Sequence, residues 1–454
     1  MNTFVSQTRR SERGQIIILL ALALVGLLVV AALATDGAQI YTHRRYVQNV
    51  ADAASLSGGG AALNFMELRS GNNRNVTYDT FSCSSPKVQQ AMAIALNQAV
   101  AQAAALGYSG LETNNPATRH GVVVTCNSQP YNKYLRVKVV LTSQVNTSFL
   151  RLIGIDQLTT TNVAETEIWP RHNIGWGNAI VSLKETCGQN NGGVFIDGTS
   201  EIDIEQGGIH SNSCLEANGT VDVEVSGGGI TLYDSAARIV GNASLNPTPL
   251  GSQPRLTVDL PNITCPTGSA QSVSVSNNDN VTLNPGNYSQ IKMTGGTLSF
   301  NPGLYCLSGD FEVNGGTVEG YGVTFYLKSG GVRINGKAVV KLMAPNAYDN
   351  DEGYNGLLIY LPPENTSEVI IVGNSDSLFS GTILAPASSV EIGGTATTGT
   401  LTDCRKTDLT NCDAVTFATQ VIGGFVKTHG NAPTEIVYDE NANASVAGRM
   451  SLIK

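Results

Sequence analysis

Nineteen consecutive residues without a charge, Ile16 to Ala34, constrain this chain more than any other feature. About twenty apolar residues in a helix cross a bilayer core of roughly 30 Å, and Arg9, Arg10 and Arg13 stand just before the run. The positive-inside rule then leaves the N-terminus in the cytoplasm and carries the rest of the chain out. A cleaved signal peptide is the competing reading, because Ala32-Leu33-Ala34 forms an A-x-A pattern at the right place. Cleavable apolar regions usually run about 7 to 15 residues. This one is longer and continues into further helical pattern, which favours a retained anchor. A buried helix of a soluble protein is the third reading. A twin-arginine export signal is disfavoured, since Arg9-Arg10 is followed by Ser11-Glu12-Arg13 rather than by apolar residues.

Beyond the run, Ile40, Val47, Val50, Ala51, Ala54, Ala61 and Ala62 keep an apolar stripe at helical spacing, while Arg44, Arg45, Gln48 and Asp52 form another face. Gly58-Gly59-Gly60 is expected to loosen or end this helix, since glycine costs about 1 kcal/mol against alanine. A second helix is expected over 88–106, with Val88, Ala91, Met92, Ala95, Ala99, Ala103 and Leu106 on one side. Two such alanine-rich faces can pair closely. Val122–Thr125 and Leu135–Leu141 alternate as strands, the second with Val137, Val139 and Leu141 on one face. Cys83 and Cys126 are the cysteines of this module and are expected to pair, because no histidine or second cysteine stands at metal-ligand spacing.

The succession Arg13-Gly14-Gln15, the hydrophobic span, Asp36-Gly37, Tyr41, Arg44-Arg45, Val47-Gln48-Asn49 and Ala51-Asp52-Ala53-Ala54-Ser55-Leu56 resembles the N-terminal region of TadE/TadG-like proteins of Flp (tight-adherence) pilus assembly. The stretch Asn146 to Ile168 is similar to the segment in which these proteins close their first extracytoplasmic module. The resemblance implies a membrane-anchored envelope protein of bacteria. The chain departs from the family in lacking the D-x-S-x-S motif of a von Willebrand A domain. It also departs from type IV prepilins, because the fifth position counted from Gly14 is Leu19, not glutamate.

From Asn178 onward the helical period disappears. Apolar triplets such as "VFID", "VDVEV", "FEV", "VTFYL" and "VIIV" recur between Gly and Asn turns. Only 14% of residues are charged and 49 are glycine, against typical shares of about 25% and about 7%. Short strands between such turns suit a solenoid whose coils stack on one another. Asn314-Gly315 and Asn335-Gly336 are 21 residues apart, close to one rung. Alternation turns Phe311 and Val313, and Val323, Phe325 and Leu327, inward. The expected fold class is therefore mainly β: a transmembrane helix and small α/β module, then a right-handed parallel β-helix, with a β-sandwich or jelly roll as the alternative. "VKLMAPNAYDNDEGYNGLLIYLP", "SGTILAPASSVEIGG" and "TQVIGGFVKTHGNAPTEIVYD" look like closing rungs of β-helical domains of bacterial surface and pilus-associated proteins. The expected divisions are a cytoplasmic N-terminus 1–13, anchor 14–35, first module 36–170, β-helix-like domain 171–440 and tail 441–454.

Eight cysteines, all beyond the apolar run, fit an oxidising compartment. Because a disulfide needs Cα atoms within about 7 Å, neighbours in sequence are expected to pair: Cys83 with Cys126, Cys187 with Cys214, Cys265 with Cys306 and Cys404 with Cys412, with an adjacent-rung bond of Cys214 to Cys265 as the alternative for the middle two. Asp349, Asp351 and Glu352 are the densest acid cluster, but they lack the ordered oxygen ligands of a calcium loop, and a solvated loop is expected. His120, His172, His210 and His429 stand alone, and no G-x-S-x-G, H-E-x-x-H or P-loop occurs. Asn75, Asn146, Asn218, Asn365 and Asn443 head N-x-[ST] triplets, several of which chance supplies in an Asn- and Thr-rich chain, and they carry no claim of modification. No catalytic residue, metal or cofactor is expected. A net charge of −9 disfavours nucleic acid. The candidate partners are the membrane, other Tad/Flp pilus-assembly proteins and cell-surface glycans. The expected role is structural or adhesive in the cell envelope, with an anchored extracellular polysaccharide-active enzyme as the alternative.

Overall fold

The structure, a computed structural model, describes residues 13–70, 73–129, 132–188, 193–199, 201–335, 337–345, 354–373, 377–394, 417–430, 434–440 and 442–453. The chain forms two compact units. The first comprises 1–68, 80–170 and 448–454; the second comprises 69–79 and 171–447. Residues 69–79, expected inside the first module, thus group with the second unit, and 448–454, expected as a tail, group with the first.

The first unit is built on helix α1, Arg13–Glu67, which continues unbroken from the apolar run through the amphipathic stretch. The run itself is exposed along its length, from Ile17 to Leu33. Further on, Val47, Val50, Ala51, Ala54, Ala62 and Met66 are buried against helix α2, Pro86–Ala105, and a sheet. Proline opens α2 at a position where its missing N–H costs nothing. Its buried face is Val88, Ala91, Ala95, Ala99 and Ala103, the expected stripe. The glycine triplet does not end α1. A Cβ on Gly58 would stand 2.6 Å from the Ala95 carbonyl oxygen, and one on Gly59 would stand 2.9 Å from Thr166 Cγ2. Gly58 and Gly59 leave room for α2 and the sheet that a side chain would fill, and that packing outweighs their poor helix propensity.

The sheet of this unit runs in the order Glu112–Thr113, Gly121–Gln129, Asn132–Asn146, Gln157–Trp169, Arg449–Leu452. Its long hairpin pairs Leu135 with Ile168 at one end and Asn146 with Gln157 at the other. Leu135, Val137, Val139 and Leu141 are fully buried, as period-two alternation predicts. The closing edge strand comes from the last residues of the chain, which carry no sequence signal for it.

The second unit is dominated by a 22-stranded sheet whose pairings are parallel. One interior ladder shows its logic: Val273, Ile291, Phe311, Val332, Val369, Val390, Val426, Val194 and Leu215 are successive register partners. All but the partly buried Val273 are at most 1% exposed. Phe300 and Phe325 pack on its Phe311, Phe325 stacked at 4.9 Å. Late strands stack on early ones: Phe417–Gly430 pairs with Leu378–Gly394 on one side and with Asn178–Ser182 and Gly193–Gly198 on the other. The stretches expected as closing rungs therefore lie inside the ladder. Asn314 and Asn335 turn the chain in equivalent places, their N–H groups donating to Met293 and Val313 carbonyls at 2.9 Å.

Candidate functional site

Two places in the molecule combine unusual chemistry with defined geometry. The first is the end of the apolar run in α1. Asp36 is 1% exposed, and its carboxylate accepts the backbone N–H groups of Ser148, Phe149 and Leu150 at 2.8, 2.9 and 2.7 Å. These open a short 3-10 turn, Leu150–Ile153, at the tip of the long hairpin. A carboxylate in that position satisfies donors that the turn cannot satisfy itself. Farther along α1, His43 Nε2 meets Ser143 Oγ at 2.8 Å, Asn162 Nδ2 donates to Gln48 Oε1 at 3.0 Å, and Ser55 Oγ meets Thr166 Oγ1 at 3.0 Å. Residues of the Asp36–Leu56 succession thus seat the hairpin along the helix, tip toward the apolar run.

The second place is a cleft of about 320 Å³ in the second unit, lined among others by Arg74, Thr77, Arg171, Tyr354, Glu440 and Asn443. Thr77 bridges to Arg171, and Ser445–Val446 pairs with His172–Asn173, so strands far apart in sequence form its wall. Burial, followed by the neighbouring Asp79 carboxylate, pushes the Glu440 carboxyl up to about 8, against the hydrogen bond that Thr77 Oγ1 donates to it at 2.9 Å. Asp439 adds to the upward push. Arg171 Nη1 donates to Ser445 Oγ at 2.8 Å. A carboxyl that keeps its proton near neutrality in a cleft also lined by Arg74 and Arg171 can act as an acid or hold a polar ligand.

The residues singled out from sequence do not share one site. Three expected cysteine pairs lie at disulfide distance, Cys83–Cys126, Cys187–Cys214 and Cys265–Cys306, with Cα separations of 5.7, 5.4 and 6.0 Å. Cys404, Cys412, Asp349, Asp351 and Glu352 lie outside the described residues. His120 Nδ1 faces the Thr142 N–H at 3.3 Å on the first unit's sheet. His172 stacks on Trp176 at 3.8 Å. His210 is fully buried between Thr231 Oγ1 and Asn212 Oδ1, and desolvation pulls it down to about 4, so it is a neutral core group. The side chain of His429 is outside the described set. Asn365 and Asn443 are 4% and 3% exposed and hydrogen-bond backbone carbonyls, which accounts for them structurally. Glu440 was not singled out, because Thr77 is 363 residues away in sequence.

An exposed apolar helix end, continuous with a helix packed on a disulfide-bearing hairpin module, defines a membrane-anchored envelope protein. Residues 14–62 match the TadE/G-like Flp pilus-assembly family model, which covers the span and the packed half of α1 together. No curated protein and no solved structure matched the chain.

Proposed function

We propose that this protein is a structural or binding component of a Flp/Tad-type pilus assembly or surface adhesion system, with α1 retained as its anchor. The observation that carries the reading is the continuity of α1: Ala32-Leu33-Ala34 lies in mid-helix, and the matched segment 14–62 spans both sides of it. In this reading the N-terminus is cytoplasmic and the second unit stands outside. Arg9, Arg10 and Arg13 before the span support that orientation. Arg44 and Arg45 follow the span, so the three cysteine pairs, which need an oxidising compartment, carry more weight. The parallel sheet is read as a right-handed β-helix; register steps of 20 and 21 residues, from Ile291 to Phe311 to Val332, support it. Its partners would be other Tad/Flp pilus-assembly proteins and cell-surface glycans. Protease added to spheroplasts should digest the second unit and leave an N-terminal fragment in the membrane. Protection until lysis would overturn the orientation, and release of a chain cut after Ala34 would overturn the anchor.

A second reading, an anchored polysaccharide-active enzyme, rests on the raised Glu440 carboxyl in a cleft that Arg74 and Arg171 also line. It requires polysaccharide cleavage by the purified protein that Glu440→Gln abolishes. Absence of cleavage over a broad glycan panel removes it.

A further inference from the structure

The hairpin tip held by Asp36 carries an apolar surface that stays open among the described residues. Leu152 is 82% exposed, Ile153 72%, Phe149 46% and Ile155 40%. These side chains stand on a fixed backbone. Thr147 N donates to the Asp156 carbonyl at 3.0 Å, Ile155 N to the Leu150 carbonyl at 3.1 Å, and Gly154 closes the turn at φ +87°. Asp36 is two residues beyond Ala34, so at about 1.5 Å per residue the tip is tied to α1 roughly 3 Å past the end of the apolar run. Exposed apolar residues at that level meet the boundary between headgroups and acyl chains, where interfacial segments bury their apolar face by about 5–10 Å.

We infer that the tip Phe149–Ile155 is a second membrane contact, dipping Leu152 and Ile153 into the outer surface of the bilayer that α1 crosses. The occupant is lipid rather than protein because Asp36 ties the patch to α1 directly past its exposed apolar run. Arg151, exposed on the same turn, meets anionic headgroups, and Tyr41, 63% exposed on α1, has the amphipathic ring that favours that level. The consequence is mechanical. A single helix leaves a module free to tilt, whereas a helix and a tip on one rigid unit fix its attitude to the membrane.

This rests on α1 crossing the bilayer, and the test separates the two. The full-length chain is placed in vesicles of phosphatidylcholine and phosphatidylglycerol with bromines high on the acyl chains, and emission beyond that of the two native tryptophans is measured for three variants. Leu28→Trp reports the anchor, Leu152→Trp the tip, and Asn97→Trp, exposed on α2, the module's far side. Leu152 is so exposed that a larger side chain fits without repacking. The expected result is roughly twofold quenching or more for Leu28→Trp and Leu152→Trp, and none for Asn97→Trp. Quenching of Leu28→Trp alone overturns the tip contact, including the case in which a second copy or another protein covers the patch. Failure to quench Leu28→Trp overturns the anchor and the tip contact together.

Discussion

Glycine does opposite work in the two units. In α1, Gly58 and Gly59 are ordinary helical residues whose missing side chains let a second helix and a sheet approach. In the parallel unit, Gly219 and Gly241 turn the chain at φ +99° and +80°. They stack there, so that a Cβ on Gly241 would stand 2.5 Å from the Gly219 carbonyl oxygen. One unit uses glycine for proximity and the other for backbone conformation. The cores differ to match: alanines between helices in the first, and Phe, Val and Ile ladders in the second. Small-residue packing depends on one or two contacts, whereas a ladder spreads its stability over many equivalent rungs.

Phe311→Ala should give the largest effect. The ring is fully buried against Phe300 and Phe325, and such truncations cost about 3–5 kcal/mol. Amide exchange should quicken across residues 286–343, while strands 121–169 keep their protection. Equal loss in both would break the distinction between the units.

Acid should act next, through His210. The unfolded chain protonates this imidazole below its ordinary 6.5, whereas the folded chain resists until about 4. The unfolded state therefore binds more protons between these values, and stability falls as pH drops through that window, by roughly 3 kcal/mol at its end. Glu440 has the opposite sign. Its raised carboxyl makes stability fall as pH rises from about 4.5 to about 8. Urea midpoints of the parent and His210→Gln at pH 7 and pH 4.5 separate the two: the change on acidification should be less favourable for the parent than for the variant, which keeps only the Glu440 contribution.

Gly58→Ala and Gly60→Ala sharpen the contrast within one helix. The first drives a methyl into the Ala95 carbonyl, so an overpacking cost of about 1–3 kcal/mol should exceed the helix-propensity gain of about 1 kcal/mol. The second meets only the Met450 side chain, Cε at 3.7 Å and Sδ at 3.9 Å, and should stabilise by up to about 1 kcal/mol. Thermal midpoints moving in the same direction would show that the triplet is not a packing device.

The smallest effect is electrostatic. Glu201 lies opposite Asp222 and Asp203 opposite Glu224, and burial together with these neighbours raises the Asp203 carboxyl. Elsewhere in the sheet Lys292 lies opposite Glu312 at 2.9 Å, and its hydrogen bond, with that of Asn314, lowers the Glu312 carboxyl. Asp203→Asn should therefore stabilise by a few tenths to about 1 kcal/mol at pH 7. Because the folded carboxyl is raised, the gain should fade on acidification as the parent's carboxylates take up protons. A gain that persists at pH 3 would assign it to something other than like-charge repulsion.

What the sequence determined by itself is what depends on short-range periodicity. The apolar run, the α2 stripe, the inward set Phe311, Val313, Val323, Phe325 and Leu327, and three local cysteine pairs were legible, because a helix or strand places its side chains by a fixed period whatever it packs against. Tertiary structure decided which surfaces meet. Period two says which face of Gly193–Gly198 turns inward, but parallel hydrogen bonds accept any strand with the same pattern, so nothing local joins Val426 to Val194. Likewise, Asp36 finds its three amides more than a hundred residues away, Glu440 finds Thr77 and Asp79 from the other end of the chain, and Gly58 becomes a contact only because Ala95 arrives opposite it. In each case the deciding term is the burial or satisfaction of a group by a partner brought near only by the completed fold.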